Sequence, residues 1–330
     1  MAKRPKDTDY LFLSARIRSM ERSLLTPSRM ERMLQAPGAE ECVQVLTELG
    51  YPPFDAAGES GLNGALAQYR TEMFHDLSRY MPDPSVLDVF RLKYDYHNLK
   101  TIVKSRGADV QSLLVDAGRI GTDDMLVKYR QSGKWDFLPS PMKGAAAEAD
   151  RILAETGDPQ RSDFALDKAY FAEMLSLARA SGSDFLVSYV RTLIDAANLR
   201  SAVRTERMHR PGTFLQQVLF DGGSVSVNRI LGEINGGVAA LYRPTPLREA
   251  AVLGEEAVAG GSLTVFEKAC DNALLSKIGE ARAIPFGVEV VVGYIAAREN
   301  EFAAIRTILS GRAAGLDADT IRERLRDCYV

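Results

Sequence analysis

A stretch of thirteen residues occurs in three related copies and limits the folds that this chain can adopt. The copies are residues 92–104 (LKYDYHNLKTIVK), 192–204 (TLIDAANLRSAVR) and 294–306 (YIAARENEFAAIR). The first two lie 100 positions apart and share an aspartate, an Asn-Leu pair, a valine and two basic residues. The third, 102 positions further on, keeps the asparagine, an aliphatic residue and the final basic residue. A solenoid repeat spans about 20–50 residues, so this longer period predicts three similar modules around a pseudo-three-fold axis.

Local patterns predict that these modules are helical. Apolar residues recur every three or four positions, as at Leu13, Ile17, Met20 and Leu24, and short Pro/Gly breaks separate such segments. Thr26-Pro27 has the form of an N-cap followed by proline at the first helical position. The sequence therefore predicts an all-α protein with modules at 1–106, 107–206 and 207–330.

The run Val288 to Val292 is the exception to the helical patterns. Its alternation and β-branched residues would favour a strand by propensity alone. It leads directly into the third repeat copy, however, and the first two copies lie in helical patterns. Because β-propensity largely reflects burial on a packed surface, the repeat predicts a helix from Val288 to Leu309.

Composition excludes several classes of protein. With 41 basic and 44 acidic residues the formal net charge is −3, so no nucleic-acid partner is expected. The three cysteines form no CxxC pair, which is typical of a reducing compartment. No apolar segment follows the basic start, so a secretory signal is not predicted, and no run reaches the ~18 apolar residues of a membrane span.

Motifs that bind nucleotides or metals are missing from the sequence. It has no P-loop, no GxGxxG and no HExxH, and its three histidines are isolated. We therefore expect no directly bound nucleotide, cofactor or metal, and no catalytic residue can be named. A helical enzyme with scattered carboxylates, such as a lyase, stays open as an alternative.

The repeat supplies two sets of candidate residues. Asn98, Asn198 and Asn300 recur in all three copies, and we expect them to satisfy backbone groups or fix register, because buried polar groups are rarely left unpaired. The basic residues are Lys100, Lys104, Arg200, Arg204 and Arg306. Residues four apart share a helix face, so these form either a solvated surface or a polar lining around the axis.

Several motifs resemble those of one known family. The start, Asp9 to Arg18, is similar to the opening of the C subunit of V-type (A/V-type) ATPases, which corresponds to the d subunit of eukaryotic vacuolar pumps. The segments 95–100 and 195–200 resemble the two internal signatures of that family, and 315–330 resembles its C-terminal end. The resemblance covers essentially the whole chain.

The resemblance implies a funnel-shaped, non-catalytic subunit of the central stalk. Such a protein lies on the cytoplasmic face of the membrane, contacts the proteolipid rotor ring and receives the end of the central axle. It couples the two for ATP-driven ion transport or ATP synthesis. The five basic residues would then face the axle. A helical adaptor unrelated to ATPases is the alternative.

Overall fold

The computed structural model describes residues 4–54 and 59–330, and the chain is 75% helical. No strand occurs in these two ranges, which confirms the prediction of an all-α protein. None of the helices described is long and apolar enough to cross a membrane. The α-helices are α1 (Leu11–Met20), α2 (Pro27–Gln35), α3 (Ala39–Glu48), α4 (Glu59–Ser78), α5 (Ser85–Ser105), α6 (Thr122–Ser132), α7 (Ser140–Thr156), α8 (Pro159–Ser181), α9 (Asp184–Arg207), α10 (Gly212–Val218), α11 (Val227–Glu233), α12 (Val238–Tyr242), α13 (Arg248–Val258), α14 (Leu263–Gly279), α15 (Val288–Ala313) and α16 (Ala318–Arg324).

Short sequence signals fix several helix boundaries. The Thr26 side chain accepts a hydrogen bond from the Arg29 N–H, and Pro27 begins α2, as predicted. At the α7–α8 turn, Gly157 adopts the left-handed conformation and Asp158 caps the next helix by accepting from the Gln160 N–H. A connection this short holds α7 and α8 side by side as an antiparallel pair.

The valine-rich segment begins the longest helix, α15, so the prediction from the repeat is confirmed. Val290, Val291 and Val292 are all fully buried. A helix that is covered on all sides needs no polar face. The packing of these side chains thus outweighs the modest helix penalty of β-branched residues.

Two of the three repeat helices pass through more than one hydrophobic core. The first half of α9 packs in a core with α5, α7 and α8, and its second half packs with α10 to α14. The first half of α15 joins the former core, and its second half packs with α2, α3 and α16. The repeat helices therefore tie the hydrophobic cores together.

Each repeat helix also packs against the long helix that precedes another repeat copy. Helix α5 contacts α8, α9 contacts α14, and α15 contacts α4. These three contacts, which we call the seams, connect the segments of the three copies in a closed circuit.

Candidate functional site

The first two recurring asparagines each bind the backbone of a loop further along the chain, before α6 for Asn98 and between α10 and α11 for Asn198. The Asn98 amide donates to the Val115 carbonyl at 3.0 Å and accepts from the Val115 N–H at 2.9 Å. Asn198 makes the same pair of bonds with Phe220, both at 2.8 Å. Both asparagines are fully buried. They satisfy backbone groups that could not reach water.

An aspartate one turn earlier holds the same two loops. Asp95 accepts from the N–H groups of Arg119 (2.9 Å) and Ile120 (3.1 Å). Asp195 accepts in the same way from the N–H groups of Ser224 (3.0 Å) and Val225 (3.1 Å). Burial raises the pKa of both carboxyls. The opposing effect at Asp95 comes mainly from its ion pair with the Arg119 guanidinium, and at Asp195 from the backbone hydrogen bonds.

Two glycines allow the loops to approach these aspartates so closely. A Cβ at Gly118 would lie 2.1 Å from an Asp95 carboxylate oxygen, and one at Gly223 would lie 2.3 Å from Asp195. The close approach of each loop to its aspartate is the reason for glycine at these two positions. We call each set of aspartate, asparagine and bound loop a clamp.

The third asparagine differs from the first two in its burial and its hydrogen bonding. Asn300 is partly exposed and donates a single hydrogen bond, 3.2 Å long, to the Asp327 carbonyl in the C-terminal tail. Ala297 stands where the other copies have aspartate.

The candidate basic residues of the first copy lie at the seam between α5 and α8. The Lys100 ammonium pairs with Asp167, and the Lys104 ammonium lies 3.0 Å from the Asp163 carboxylate. The Lys104 side chain is 40% exposed. The two pairs lie one helical turn apart and connect the helices at two points.

The second and third copies place their basic residues at the other two seams. Arg200 pairs with Asp271 at 2.6 Å, and Arg204 pairs with Glu267, both across α9 and α14. Arg306 donates instead to the side-chain oxygen of Asn63 on α4, at 3.0 Å. The structure thus brings these basic residues together with acidic or amide groups of other helices of the same chain.

In the two described ranges, no group of three or more His, Cys, Asp or Glu side chains has the geometry to hold a metal ion. The candidate basic residues form contacts between helices of the chain.

Comparison with known proteins identifies the family. Residues 13–324 match the family described as ATP synthase (C/AC39) subunit. The chain belongs to this family.

Its relatives in the C/AC39 family align along almost their whole length. The C subunit of the V-type sodium ATPase of Enterococcus hirae is 23% identical over 329 residues, covering 97% of this chain and 99% of that protein. The C subunit of the A-type ATP synthase of Methanocaldococcus jannaschii is 25% identical, covering 96% of this chain and 86% of that protein. That of Haloferax volcanii is 28% identical, covering 95% and 96%. The resemblance seen in the sequence motifs is therefore confirmed.

Sequence reasoning called for acidic partners of the basic residues, on the axle or a neighbouring module, but did not identify which residues of this C/AC39 chain they are. Asp163 and Asp167 lie four apart on α8, and Glu267 and Asp271 lie four apart on α14. This spacing matches that of the basic residues, so it could have been used to predict the pairs from the sequence.

The buried ion pair of the third repeat helix was not predicted either. The Arg298 and Glu301 side chains are 0% and 3% exposed and lie 2.6 Å apart. In the sequence, Glu301 stood out only as a departure from the Asn-Leu pattern.

Proposed function

We propose that this chain is the non-catalytic central-stalk subunit of a rotary V/A-type ATPase. It would join the central axle to the membrane proteolipid ring for ATP-driven ion transport or ATP synthesis. The family match across residues 13–324 carries this proposal. Family membership also decides against a helical adaptor unrelated to ATPases. On this proposal the protein lies at the cytoplasmic face of the membrane as a peripheral part of the complex.

The seams and clamps support a mechanical role. A coupler has to pass torque without shear between its own helices, and the seams at α5–α8 and α9–α14 each connect two helices by two ion pairs. Partly exposed pairs contribute only about 0–1 kcal/mol each. Their main effect is therefore to fix helix register, while the shared hydrophobic cores supply the stiffness.

We further propose that the basic residues contact the axle with the part of each side chain that stays exposed. Lys104 is 40% exposed and Arg204 is 54% exposed although both are paired. Charged contacts of this kind give orientation and attraction at modest net affinity, which suits a socket that holds an axle. Acidic groups on the axle would be the complementary chemistry.

Exchanging the charges of one pair separates axle binding from seam stability. Arg204→Glu alone breaks the pair with Glu267 and changes the exposed charge. Arg204→Glu combined with Glu267→Arg restores an ion pair across α9 and α14. If Arg204 contacts the axle, both variants bind isolated axle subunits more weakly, and the loss shrinks at high salt. If both variants keep wild-type affinity at two salt concentrations, the axle-facing role is wrong.

Reconstitution tests the function itself. Head, axle and ring assembled without this chain should retain ATP hydrolysis by the head but lose ATP-driven ion transport, and adding the purified chain should restore transport. The purified chain alone should hydrolyse no ATP, whereas an enzyme alternative requires an activity of its own. Ion transport at the full rate without the chain would contradict the proposal.

A further inference from the structure

The two complete clamps hold the start of the next helical segment at a fixed position. The Asp95 carboxylate binds the N–H of Ile120, two residues before α6 begins. The Asp195 carboxylate binds the N–H of Val225, two residues before α11 begins. In each case the asparagine binds the carbonyl five residues earlier, at Val115 or Phe220.

The N-terminal segment meets the third repeat helix in a partly equivalent arrangement. Leu25 lies two residues before α2 begins, and its N–H donates to the Glu301 carboxylate on α15. Five residues earlier, the Met20 carbonyl accepts a 3.4 Å hydrogen bond from the Arg298 guanidinium. One N–H and the carbonyl five residues before it are therefore bound in all three places, although 276 positions separate Leu25 from Glu301. The third place lacks the second N–H bond to the carboxylate, because the Leu24 N–H donates to the Glu21 carbonyl.

The order of the acceptor and donor side chains along the helix is reversed in the third copy. In the first two, an acceptor precedes a donor by three residues, as Asp95 precedes Asn98. In the third, the donor Arg298 precedes the acceptor Glu301 by three residues. Glu301 lies four residues after Ala297, so on a helix it lies on the same face as the missing aspartate.

Further contacts fix this pair in position. Arg298 also donates to the Tyr294 hydroxyl at 3.0 Å and to the Ser23 carbonyl at 3.2 Å. The Tyr51 hydroxyl donates to Glu301. A buried ion pair needs such additional hydrogen bonds to offset the loss of hydration.

We propose that Arg298 and Glu301 form a third clamp, a latch by which the end of the fold closes on its own N-terminal segment. The chain itself continues through the other two clamps, from α5 into α6 and from α9 towards α11. The third has no such covalent link between α15 and α2. The latch is thus the clamp whose two partners lie furthest apart in the sequence, 276 positions in the case of Leu25 and Glu301. This inference holds whether or not the chain serves a rotary ATPase.

Restoring the sequence of the second copy tests the latch. Glu301→Leu removes the acceptor, because Leu199 is its counterpart. Ala297→Asp, Arg298→Ala and Glu301→Leu together recreate Asp195, Ala196 and Leu199. Hydrogen exchange of the full-length protein, read by mass spectrometry, is compared at Leu25 and Val225.

In Glu301→Leu the Leu25 amide should exchange at least about tenfold faster while Val225 is unchanged. The triple variant should return Leu25 to within about threefold of wild type. If Glu301→Leu does not fold, a folded triple variant with a protected Leu25 still supports the latch, since it shows that the carboxylate can act from either position. Equal acceleration at Leu25 and Val225 in Glu301→Leu, or a triple variant that leaves Leu25 unprotected or fails to fold, overturns the proposal.

Discussion

Replacing Asn198 by alanine tests whether the recurring asparagines hold the fold through the backbone. The substitution removes the donor to the Phe220 carbonyl and the acceptor for the Phe220 N–H, both at 2.8 Å in a buried position. Each buried backbone group left without a partner costs about 1–3 kcal/mol. The free energy of unfolding should therefore fall by about 2–6 kcal/mol. Urea unfolding followed by far-ultraviolet circular dichroism measures it.

Asn300→Ala is the matched control on an equivalent helix. Asn300 is partly exposed and loses one hydrogen bond, at 3.2 Å, and water can replace it at the Asp327 carbonyl. The expected loss is below about 1 kcal/mol. Hydrogen exchange at Phe220 should accelerate in Asn198→Ala and stay unchanged in Asn300→Ala. Equal destabilisation by the two substitutions, or a loss below about 0.5 kcal/mol for Asn198→Ala, would refute the reasoning.

Three other predictions concern the clamps and the single tryptophan. Gly223→Ala should lower the unfolding midpoint, because its Cβ would lie 2.3 Å from the Asp195 carboxylate, whereas Gly232→Ala on an open surface should not. Burial raises the pKa of Asp150, whose carboxylate accepts a hydrogen bond from the Trp135 indole N–H. Tryptophan fluorescence should therefore change with pH at a midpoint above the ordinary aspartate pKa of about 3.9. In Asp150→Asn this pH dependence should disappear. Burial also raises the pKa of Asp95 and Asp195 in the folded state, so each binds its proton more tightly there than in the unfolded chain. The stability that each contributes is then full below about pH 4 and falls as pH rises towards the folded pKa. The unfolding free energy of Asp195→Asn should accordingly improve relative to wild type as the pH rises from about 4 towards the folded pKa, and an opposite slope would contradict this assignment.

The sequence by itself determined the helices and their recurrence. Caps such as Thr26 act over one turn, and the repeat assigned Val288 to a helix against its local propensity. The spacing of Asn98 and Asn198 also predicted a backbone-satisfying role, and the structure places each on a loop carbonyl and N–H. Each of these signals depends either on residues a few positions apart or on a comparison of two repeat copies. Both can be read directly from the amino-acid sequence.

Only the tertiary structure decided which distant groups meet. Lys100 finds Asp167 across 67 positions and Arg306 finds Asn63 across 243. Glu301 reaches Leu25 across 276, although in the sequence it looks like a degraded copy of Leu199. Many acidic residues could satisfy a given cation by chemistry alone. The choice among them depends on how the hydrophobic cores orient whole helices. Burial of apolar surface is non-directional and roughly proportional to the buried area. The resulting helix orientation therefore cannot be predicted from any single residue.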